Sequence, residues 1–398
     1  MSRLEELMAE LCPDGVEYKT LGEFATISRG GSFQKKDFLD DGFPCIHYGQ
    51  IYTQYGLFAD KTLKFISPSV AKKQKKVVKN DIVMAVTSEN IEDVCKCLAW
   101  LGEDEVAVSG HTAIIHHNQN PKYLTYYFHS EMFAAQKRRL AHGTKVMEVT
   151  PNKLNDVKIP LPPLEVQREI VRILDSFTEL DAELNAELDA RKKQYEYYRD
   201  DLLTFTENHP FAELCPDEVE YKKLSEITVI SRGVRVVKKQ LSEEAEGLYP
   251  VYQNCMTPLG YFAKSNCPAD TTFIISAGAA GEIGYSESAF WAADDCCYFK
   301  CPETLSSKYL YYALQCQQHI INSKVRYASV PRLPQRDVEK LKIPLPPLDV
   351  QEKIVSILDR FGKLCNDISV GIPAEIEARR KQYEHYRDQL LTFEKKTA

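Results

Sequence analysis

Two segments of the chain carry side chains suited to contacting the edges of nucleic acid bases. In the first, Arg29 and Gly30 precede a run of aromatic and amide residues at 46–52, and in the second Arg232 precedes a similar run at 251–254. Arginine can pair with guanine and the amide side chains with adenine, while small residues let a loop approach a groove closely. The predicted base-contacting and groove-facing residues are Arg29, Gly30, Tyr48, Gln50, Tyr52, Arg232, Arg235, Tyr252, Gln253, Asn254, Gly278, Arg326 and Arg332.

Lysines near the first segment supply positive charge for the same kind of surface. Residues 61–79 contain seven lysines and no acid, and residues 132–147 are also basic without an acid. The net charge of the chain is −7, but charge is segregated, because residues 175–189 hold six acids and no base. A lysine run is usually a solvated face; beside Arg29 it favours a phosphate-contacting surface. The predicted phosphate contacts are Lys72, Lys73, Lys75, Lys76 and Lys145.

No motif for catalysis stands out. The chain lacks the spacings of a phosphate-binding loop, a serine hydrolase elbow, a zinc protease or a dinucleotide site. The segment 14–19, repeated at 217–222, resembles a fragment of a metal-dependent nuclease site, but its acids lie too close together, and a repeated turn and edge strand explains it better. The twelve cysteines lack paired zinc spacing and predict reduced, mostly buried thiols. We expect no catalytic residue, metal or cofactor on this chain.

Two long repeats frame the variable sequence. KIPLPPLEVQ at 158–167 returns as KIPLPPLDVQ at 342–351, and ARKKQYEYYRDDLLTF at 190–205 returns as ARRKQYEHYRDQLLTF at 378–393. The sequence between the repeats has short β-type runs broken by turn residues and followed by helical stretches, which predicts two mixed α/β domains. The predicted regions are a first variable domain at 1–157, a helical region at 158–207, a second variable domain at 208–341 and a second helical region at 342–398.

Each repeat predicts a long helix with an apolar seam. Apolar positions recur in steps of three and four with an extra step of four, and the second copy has one further step beside Gly371-Ile372-Pro373, which should kink or restart the helix. Each helix could lie on its own domain, but matching periods favour two helices packed antiparallel on each other, with a domain near each end. The predicted seam and subunit-interface residues are Ile170, Ile173, Phe177, Leu180, Leu184, Leu188, Ile354, Ile357, Phe361 and Leu364.

These blocks give the chain a resemblance to the specificity (S) subunit of type I restriction–modification enzymes. The repeated segments look like that family's conserved regions, and residues 42–52 and 275–285 resemble parts of its target-recognition domains. The resemblance implies an α/β fold in which two target-recognition domains are separated by two long antiparallel coiled-coil helices, with pseudo-two-fold symmetry. It also implies a non-catalytic subunit, each domain of which reads one half of a bipartite DNA site.

The resemblance further implies partners and a location. Two methyltransferase (M) subunits would bring S-adenosylmethionine, and two restriction (R) subunits would bring ATP and magnesium. No apolar run is long enough to cross a membrane, so we expect a cytoplasmic protein. Two alternatives stay open from the residues alone: a self-sufficient metal-dependent nuclease, and a coiled-coil scaffold that does not contact DNA.

Overall fold

The computed structural model describes residues 2–206, 209–215, 218–366 and 372–396, with only the backbone described at 364–366 and 372. The chain forms two compact units. Unit 1 comprises Met1–Glu183 and Ile376–Ala398, and unit 2 comprises Leu184–Glu375. Each unit therefore contains one variable domain together with parts of both helical regions.

The helices of the described chain are α1 Arg3–Leu11, α2 Leu21–Phe24, α3 Tyr48–Thr53, α4 Pro68–Ala71, α5 Pro121–Phe128, α6 Glu131–Leu140, α7 Pro151–Leu154, α8 Leu164–Leu202, α9 Leu224–Ile227, α10 Ser307–Cys316, α11 Gln318–Lys324, α12 Gln335–Val338, α13 Leu348–Asn366 and α14 Ile372–Leu390. The strands of unit 1 are β1 Tyr18–Thr20, β2 Ala25–Arg29, β3 Phe43–Ile46, β4 Phe58–Ala59, β5 Lys64–Ile66, β6 Lys76–Val77, β7 Ile82–Ala85, β8 Thr87–Ser88, β9 Cys97–Trp100, β10 Val106–Val108, β11 Thr112–His117, β12 Met147–Glu148 and β13 Lys158–Pro160. The strands of unit 2 are β14 Tyr221–Lys223, β15 Val229–Arg232, β16 Tyr249–Tyr252, β17 Tyr261–Phe262, β18 Thr271–Ile275, β19 Ile283–Ser286, β20 Trp291–Ala292, β21 Cys296–Lys300 and β22 Lys342–Pro344.

The two units share most of their strand topology, although unit 1 has one more strand in each of its two larger sheets. The main sheet has the order β2-β11-β7-β9-β4 in unit 1 and β15-β21-β18-β19 in unit 2, and a second sheet contains a parallel pair, β3-β10 or β16-β20. Ala113 pairs with Arg29 on one side and Met84 on the other, as Cys297 pairs with Arg232 and Ile274. This register defines equivalent residues. The predicted mixed α/β class is confirmed.

The repeated KIPLPP block docks each helical region onto its domain through a buried glutamine. The side-chain amide of Gln167 donates to the carbonyl of Pro162 (2.8 Å) and its Oε1 accepts from the amide of Asn120 (3.1 Å). Gln351 makes the same pair of bonds in unit 2, to Pro346 and from Ser306. Both glutamines are fully buried. An apolar substitute would leave backbone groups without partners, which explains the repeated glutamine.

A second repeated contact, made by the twelfth residue of each helix, holds α8 and α13 on their domains. Asp175 on α8 accepts from the Tyr126 hydroxyl (2.7 Å) and pairs with Lys122 Nζ (2.6 Å). In unit 2, Asp359 on α13 accepts from the hydroxyl of Tyr312 (2.5 Å) and pairs with a lysine at 2.9 Å. Burial and these carboxylates raise the pKa of both tyrosines, so they stay neutral donors. The first acid of the acidic stretch is therefore an anchor rather than a free charge.

The end of the chain completes the core of unit 1. Leu391 is fully buried in the same core as the β7–β11 sheet residues, with Leu390 and Phe393 packed against it. The backbone of Val16 exchanges hydrogen bonds with residues 394 and 396. In unit 2, Leu203 occupies the corresponding place in the core. The repeated YRDxLLTF segment is thus used twice for the same packing task, on two different domains.

The predicted seam is only partly a helix–helix contact. Ile170 and Ile354 are fully buried inside the domain cores, so we correct their assignment: they dock a helix onto its own domain. Within unit 1, Phe177 stacks on Tyr386 of α14 at 5.6 Å between ring centroids.

The other predicted seam residues have different surroundings. Within unit 2, Phe361 contacts Tyr198 of α8 at 5.7 Å. Leu180 lines a cavity of about 220 Å³ with Arg379, Arg380 and Tyr383. Ile173, Leu184, Leu188 and Ile357 are half-buried, and the side chain of Leu364 lies outside the described residues. Helix α14 is described from Ile372, and residues 367–371, which include Gly371 of the expected break, lie outside the described residues.

Three histidines of unit 1 should make it sensitive to acid. Burial lowers the pKa of His47, His117 and His129 to about 4. In the unfolded chain these histidines bind protons below a pKa of about 6.5, whereas in the folded chain they stay neutral until about pH 4. The free energy of unfolding therefore decreases as pH falls from about 6.5 towards 4. Replacing His117 and His129 with glutamine should make that loss shallower, as measured by hydrogen exchange of β7 and β11 peptides. His319→Gln, an exposed change in unit 2, is the control; an unchanged pH profile in the double variant would contradict the assignment.

Candidate nucleic-acid interface

Arg29 lies at the centre of a polar site at the end of β2. Its Nε donates to the carbonyl of Gly110 (2.9 Å) and its guanidinium lies 3.4 Å from the carboxylate of Glu148. The side chain is still 53% exposed, so it remains accessible to a ligand. These contacts bring together residues from β2, the β10–β11 turn and β12, and they hold the arginine in one orientation.

An aromatic cluster adjoins this arginine. The ring of Tyr48 lies 4.9 Å from that of His111, the residue after Gly110, and 4.6 Å from that of His47. Burial, with smaller contributions from Lys35 and His111, lowers the pKa of His47 to about 4, so its ring is neutral near pH 7. Its Nδ1 accepts from the Gly49 amide (3.1 Å) and caps α3. Tyr48 remains a surface candidate, and His111 is a neighbour that sequence reasoning missed.

Three predicted residues of this site have internal roles instead. Gln50 is buried, and its Oε1 accepts from the backbone amide of His47 (3.0 Å), so it closes the first turn of α3. The Tyr52 hydroxyl donates to the carbonyl of Thr87 (2.8 Å). A Cβ on Gly30 would lie 2.1 Å from the carbonyl of Ser109, so glycine is needed there for packing within the domain. We remove Gln50, Tyr52 and Gly30 from the contact set.

The lysine run lies against the Arg29 segment. The side chain of Gln74 accepts from the amide of Ser32 (2.6 Å), which ties residues 71–76 to residues 30–32. Lys72, Lys73 and Lys75 are exposed, and no ion pair to another described residue involves them. Lys72, Lys73 and Lys75 therefore remain the candidates for the predicted phosphate contacts.

Lys76 differs from its neighbours and Lys145 lies elsewhere. Lys76 pairs with Glu105 (2.9 Å) and lies over the ring of Phe43 at 4.8 Å, so its charge is already matched and we remove it from the set. Lys145 is exposed and lies between His142 and Glu148, which pair to form a hairpin.

Unit 2 builds an equivalent site around Arg232. Its Nε donates to the carbonyl of Asp294 (2.7 Å), as Arg29 does to Gly110, and its guanidinium lies 3.9 Å from Asp295. The amide of Gln253 donates to the Asp294 side chain (3.3 Å). Gln253 and Arg232 are both held by carboxylates that the sequence did not single out, and Gln253 remains a predicted DNA contact. Arg235 is exposed three residues after Arg232, beyond the end of β15.

The remaining predicted residues of unit 2 separate into core and surface. Tyr252 stacks on Phe273 at 4.8 Å and belongs to an apolar cluster, so we remove it. Asn254 is exposed, and its carbonyl accepts from the amide of Ala279 (2.8 Å). Gly278 has φ +87°, and a Cβ there would lie 2.7 Å from the carbonyl of Asn254. The glycine is thus required by backbone geometry, which accounts for it without a ligand.

A hairpin flanks the site in each unit. Hairpin 1 runs from His142 to Glu148, which exchange two backbone hydrogen bonds of 3.0 and 2.8 Å. Hairpin 2 runs from Arg326 to Arg332, which exchange bonds of 2.8 and 3.0 Å. Both arginines of hairpin 2 are exposed, and their contact with DNA stays a prediction.

Backbone hydrogen bonds show that the hairpins are equivalent. The amide of Val149, just after hairpin 1, donates to the carbonyl of Val86 (3.0 Å), and that of Leu333, just after hairpin 2, donates to Ser276 (2.8 Å). These two carbonyls belong to the residues that follow β7 and β18. The residue after each hairpin is therefore bonded to the same point, the residue that follows β7 or β18.

Among the residues that the structure describes, the nuclease-like fragment and its copy form no acidic cluster. In unit 1 Glu17 pairs with Lys19 (3.2 Å), and in unit 2 Glu220 pairs with Lys222 (2.8 Å), while Asp217 lies outside the described residues. β1 and β14, which overlap the ends of these segments, are edge strands of two-stranded sheets, as the simpler explanation expected. Among the described residues, histidines, cysteines and acids form no group of three that could hold a metal ion.

Comparison with known proteins decides the family. Residues 13–190 and 216–378 match the model of the type I restriction modification DNA specificity domain. The chain belongs to this family. Over 267 residues it is 35% identical to the EcoR124I/EcoR124II specificity subunit of Escherichia coli, which covers 60% of this chain and 64% of that protein.

Solved structures of specificity subunits share the fold. A chain from work on complex assembly and conformational transition of the type I R-M system aligns with a TM-score of 0.64 at 19% identity, over 96% of this chain and 98% of that one. The type I S subunit from M. genitalium aligns with a TM-score of 0.53 at 17% identity, over 95% and 96%. The comparisons support the specificity-subunit interpretation and do not support a self-sufficient nuclease or a scaffold without DNA contact. None of the helices that the described residues form has the length and apolar character to cross a membrane.

Proposed function

We propose that this chain is the DNA-reading subunit of a type I restriction–modification complex and carries no catalytic site of its own. The variable domains at 1–157 and 208–341 each read one half of a bipartite site. The helical regions at 158–207 and 342–398 set the unread spacer and dock two methyltransferase subunits, to which two restriction subunits join. S-adenosylmethionine, ATP and magnesium belong to those partners.

The observation that carries this proposal is that the two domains hold an equivalent arginine in the same way but surround it with different side chains. Arg29 and Arg232 are held in the same way, by a backbone carbonyl and a carboxylate, at the end of equivalent strands. The side chains around them differ: a histidine and a tyrosine in unit 1, acids and amides in unit 2. Two domains with one scaffold and different exposed polar groups suit two different half-sites.

Methylome sequencing tests the proposal. A host that expresses this chain with its methyltransferase subunits should methylate adenines in one two-part motif with a fixed spacer. Host cells with the methyltransferase alone are the control, and they should lack that motif. Methylation without a two-part motif, or the same motif without this chain, would contradict the proposal.

The exposed lysines should contribute affinity without specificity. Replacing Lys72, Lys73 and Lys75 with alanine should reduce the slope of log K against log salt by up to about three, since each phosphate contact releases about one counterion. The methylated motif should not change. The measurement is DNA binding by the assembled methyltransferase complex at several salt concentrations. Lys76→Ala is the matched control, because Glu105 already neutralises that charge; equal effects of Lys76 and the other three would contradict the assignment.

A further inference from the structure

The two domains place opposite charges at one equivalent position. Hairpin 1 ends at Glu148 and hairpin 2 ends at Arg332. These two residues are equivalent, because the next residue of each chain segment bonds to the residue that follows β7 or β18. In unit 1 the carboxylate of Glu148 lies 3.4 Å from the guanidinium of Arg29. In unit 2 that place is taken by a cation, and the carboxylate nearest Arg232 is Asp295 at 3.9 Å. The central arginine is thus paired with a carboxylate in both domains, but the carboxylate belongs to a different element: β12 in unit 1 and the residue before β21 in unit 2.

With a cation in place of the carboxylate, unit 2 has additional guanidinium donors that no other described residue engages. The side chains of Arg326 and Arg332 are exposed and make no hydrogen bond or ion pair with another described residue. In unit 1 the corresponding positions are His142 and Glu148, and the Glu148 carboxylate is engaged with Arg29. A guanidinium that the protein does not satisfy is available for a bidentate acceptor outside the protein.

The tips of both hairpins also present apolar side chains to solvent. Val146 is 56% exposed in hairpin 1, and Tyr327 and Val330 are 77% and 45% exposed in hairpin 2. Large apolar groups at a tip, flanked by cations such as Lys145, cost free energy in water unless a surface covers them. The edge of a base pair offers such a surface, since it combines acceptors with apolar atoms such as the thymine methyl group.

We infer that the last residue of each hairpin, Glu148 or Arg332, determines which base that domain accepts. Arg332 donates to the major-groove edge of a purine, guanine in particular, in the half-site of unit 2. Glu148 is a positioning residue that holds Arg29, which is the donor in the half-site of unit 1. The inference rests on the proposed function and assigns one base position in each half-site.

Removing the free arginine should relax one base of one half-site. With Arg332→Ala in the assembled complex, discrimination at a single position of one half should fall by about tenfold or more, while the other half keeps its bases. Sequencing of the methylated motif, at limiting expression, measures both halves in one experiment. Arg336→Ala, an exposed arginine on the neighbouring helix α12, is the matched control and should leave the motif unchanged.

The converse change addresses unit 1. Glu148→Gln keeps a hydrogen-bond acceptor for Arg29 but removes the charge, and Glu148→Ala removes both. We expect a graded loss of discrimination, Ala larger than Gln, confined to the half-site that Arg332→Ala leaves intact. Melting curves of the complexes establish that the variants are folded.

The outcomes separate the inference from the function it rests on. If the wild-type complex yields no two-part motif, the proposed function fails. If it does, but Arg332→Ala lowers methylation equally at every sequence and reduces the salt dependence by about one counterion, Arg332 contacts phosphate and the inference fails. An unchanged motif in both Arg332→Ala and Glu148→Ala would overturn it as well.

Discussion

Deletion of residues 181–184 is expected to change the spacer between the two methylated half-sites without changing either half-site. These residues form one turn in the middle of α8, which runs unbroken from Leu164 to Leu202. Four residues of helix rise about 6 Å, the length of about one to two base pairs. If the helical regions set the spacer, the methylated motif should shorten by that amount. Methylome sequencing of the variant complex gives the spacer directly.

The opposite change and a same-length change serve as controls. A second copy of 181–184 inserted at the same place should lengthen the spacer, since it adds a turn. Four alanines in place of residues 181–184 keep the length and should keep the spacer. Recovery of the intact complex by size-exclusion chromatography confirms assembly. An assembled deletion variant that methylates the original spacing would show that the helices do not act as a ruler.

Leu391→Ala is expected to destabilise unit 1, although Leu391 lies more than two hundred residues from that unit's sheets in sequence. Its side chain is fully buried in the core that contains Ile82, Met84 and Ile115. Truncating a buried leucine removes apolar contacts and leaves a cavity, at a cost of about 2–5 kcal/mol in the free energy of unfolding. Hydrogen exchange should show faster opening of β7 and β11.

The matched variant acts on the other domain. Leu203→Ala removes the corresponding leucine from unit 2, where it is 3% exposed, and should speed exchange in β18 and β21 instead. Gln389→Ala, an exposed change near Leu391, should affect neither sheet. If Leu391→Ala loosened only α14 and left β7 and β11 protected, the end of the chain would be peripheral to unit 1 and the assignment would be wrong.

Local patterns predicted the large features. Apolar positions spaced three and four residues apart predicted long helices, because helical periodicity depends on neighbours within two turns. The repeated KIPLPP and YRDxLLTF blocks predicted two similar domains with helical regions, and carried the resemblance to the family. The site predictions that place Arg29 and Arg232 on the surface also came from the sequence, although their partners did not. Direct DNA contact by any of these residues stays a prediction.

The errors at the site came from residues whose partners are distant in sequence. Tyr252 and Tyr52 look like reading residues in a loop, but Tyr252 stacks on Phe273 and the Tyr52 hydroxyl donates to the carbonyl of Thr87. Glu148 and Gly110 lie 119 and 81 residues from Arg29. No local pattern marks such pairs, because they meet only through strand pairing.

The sequence by itself determined that this protein has two α/β domains, long helices and a family, since repeats and periodicity are local properties that survive without coordinates. Only the tertiary structure decided which side chains surround each central arginine, and that the last turns of the chain belong to the core of the first domain. The physical reason is that strand register and core packing join residues across long stretches of chain, and these long-range contacts fix both the charge beside Arg29 or Arg232 and the burial of Leu391.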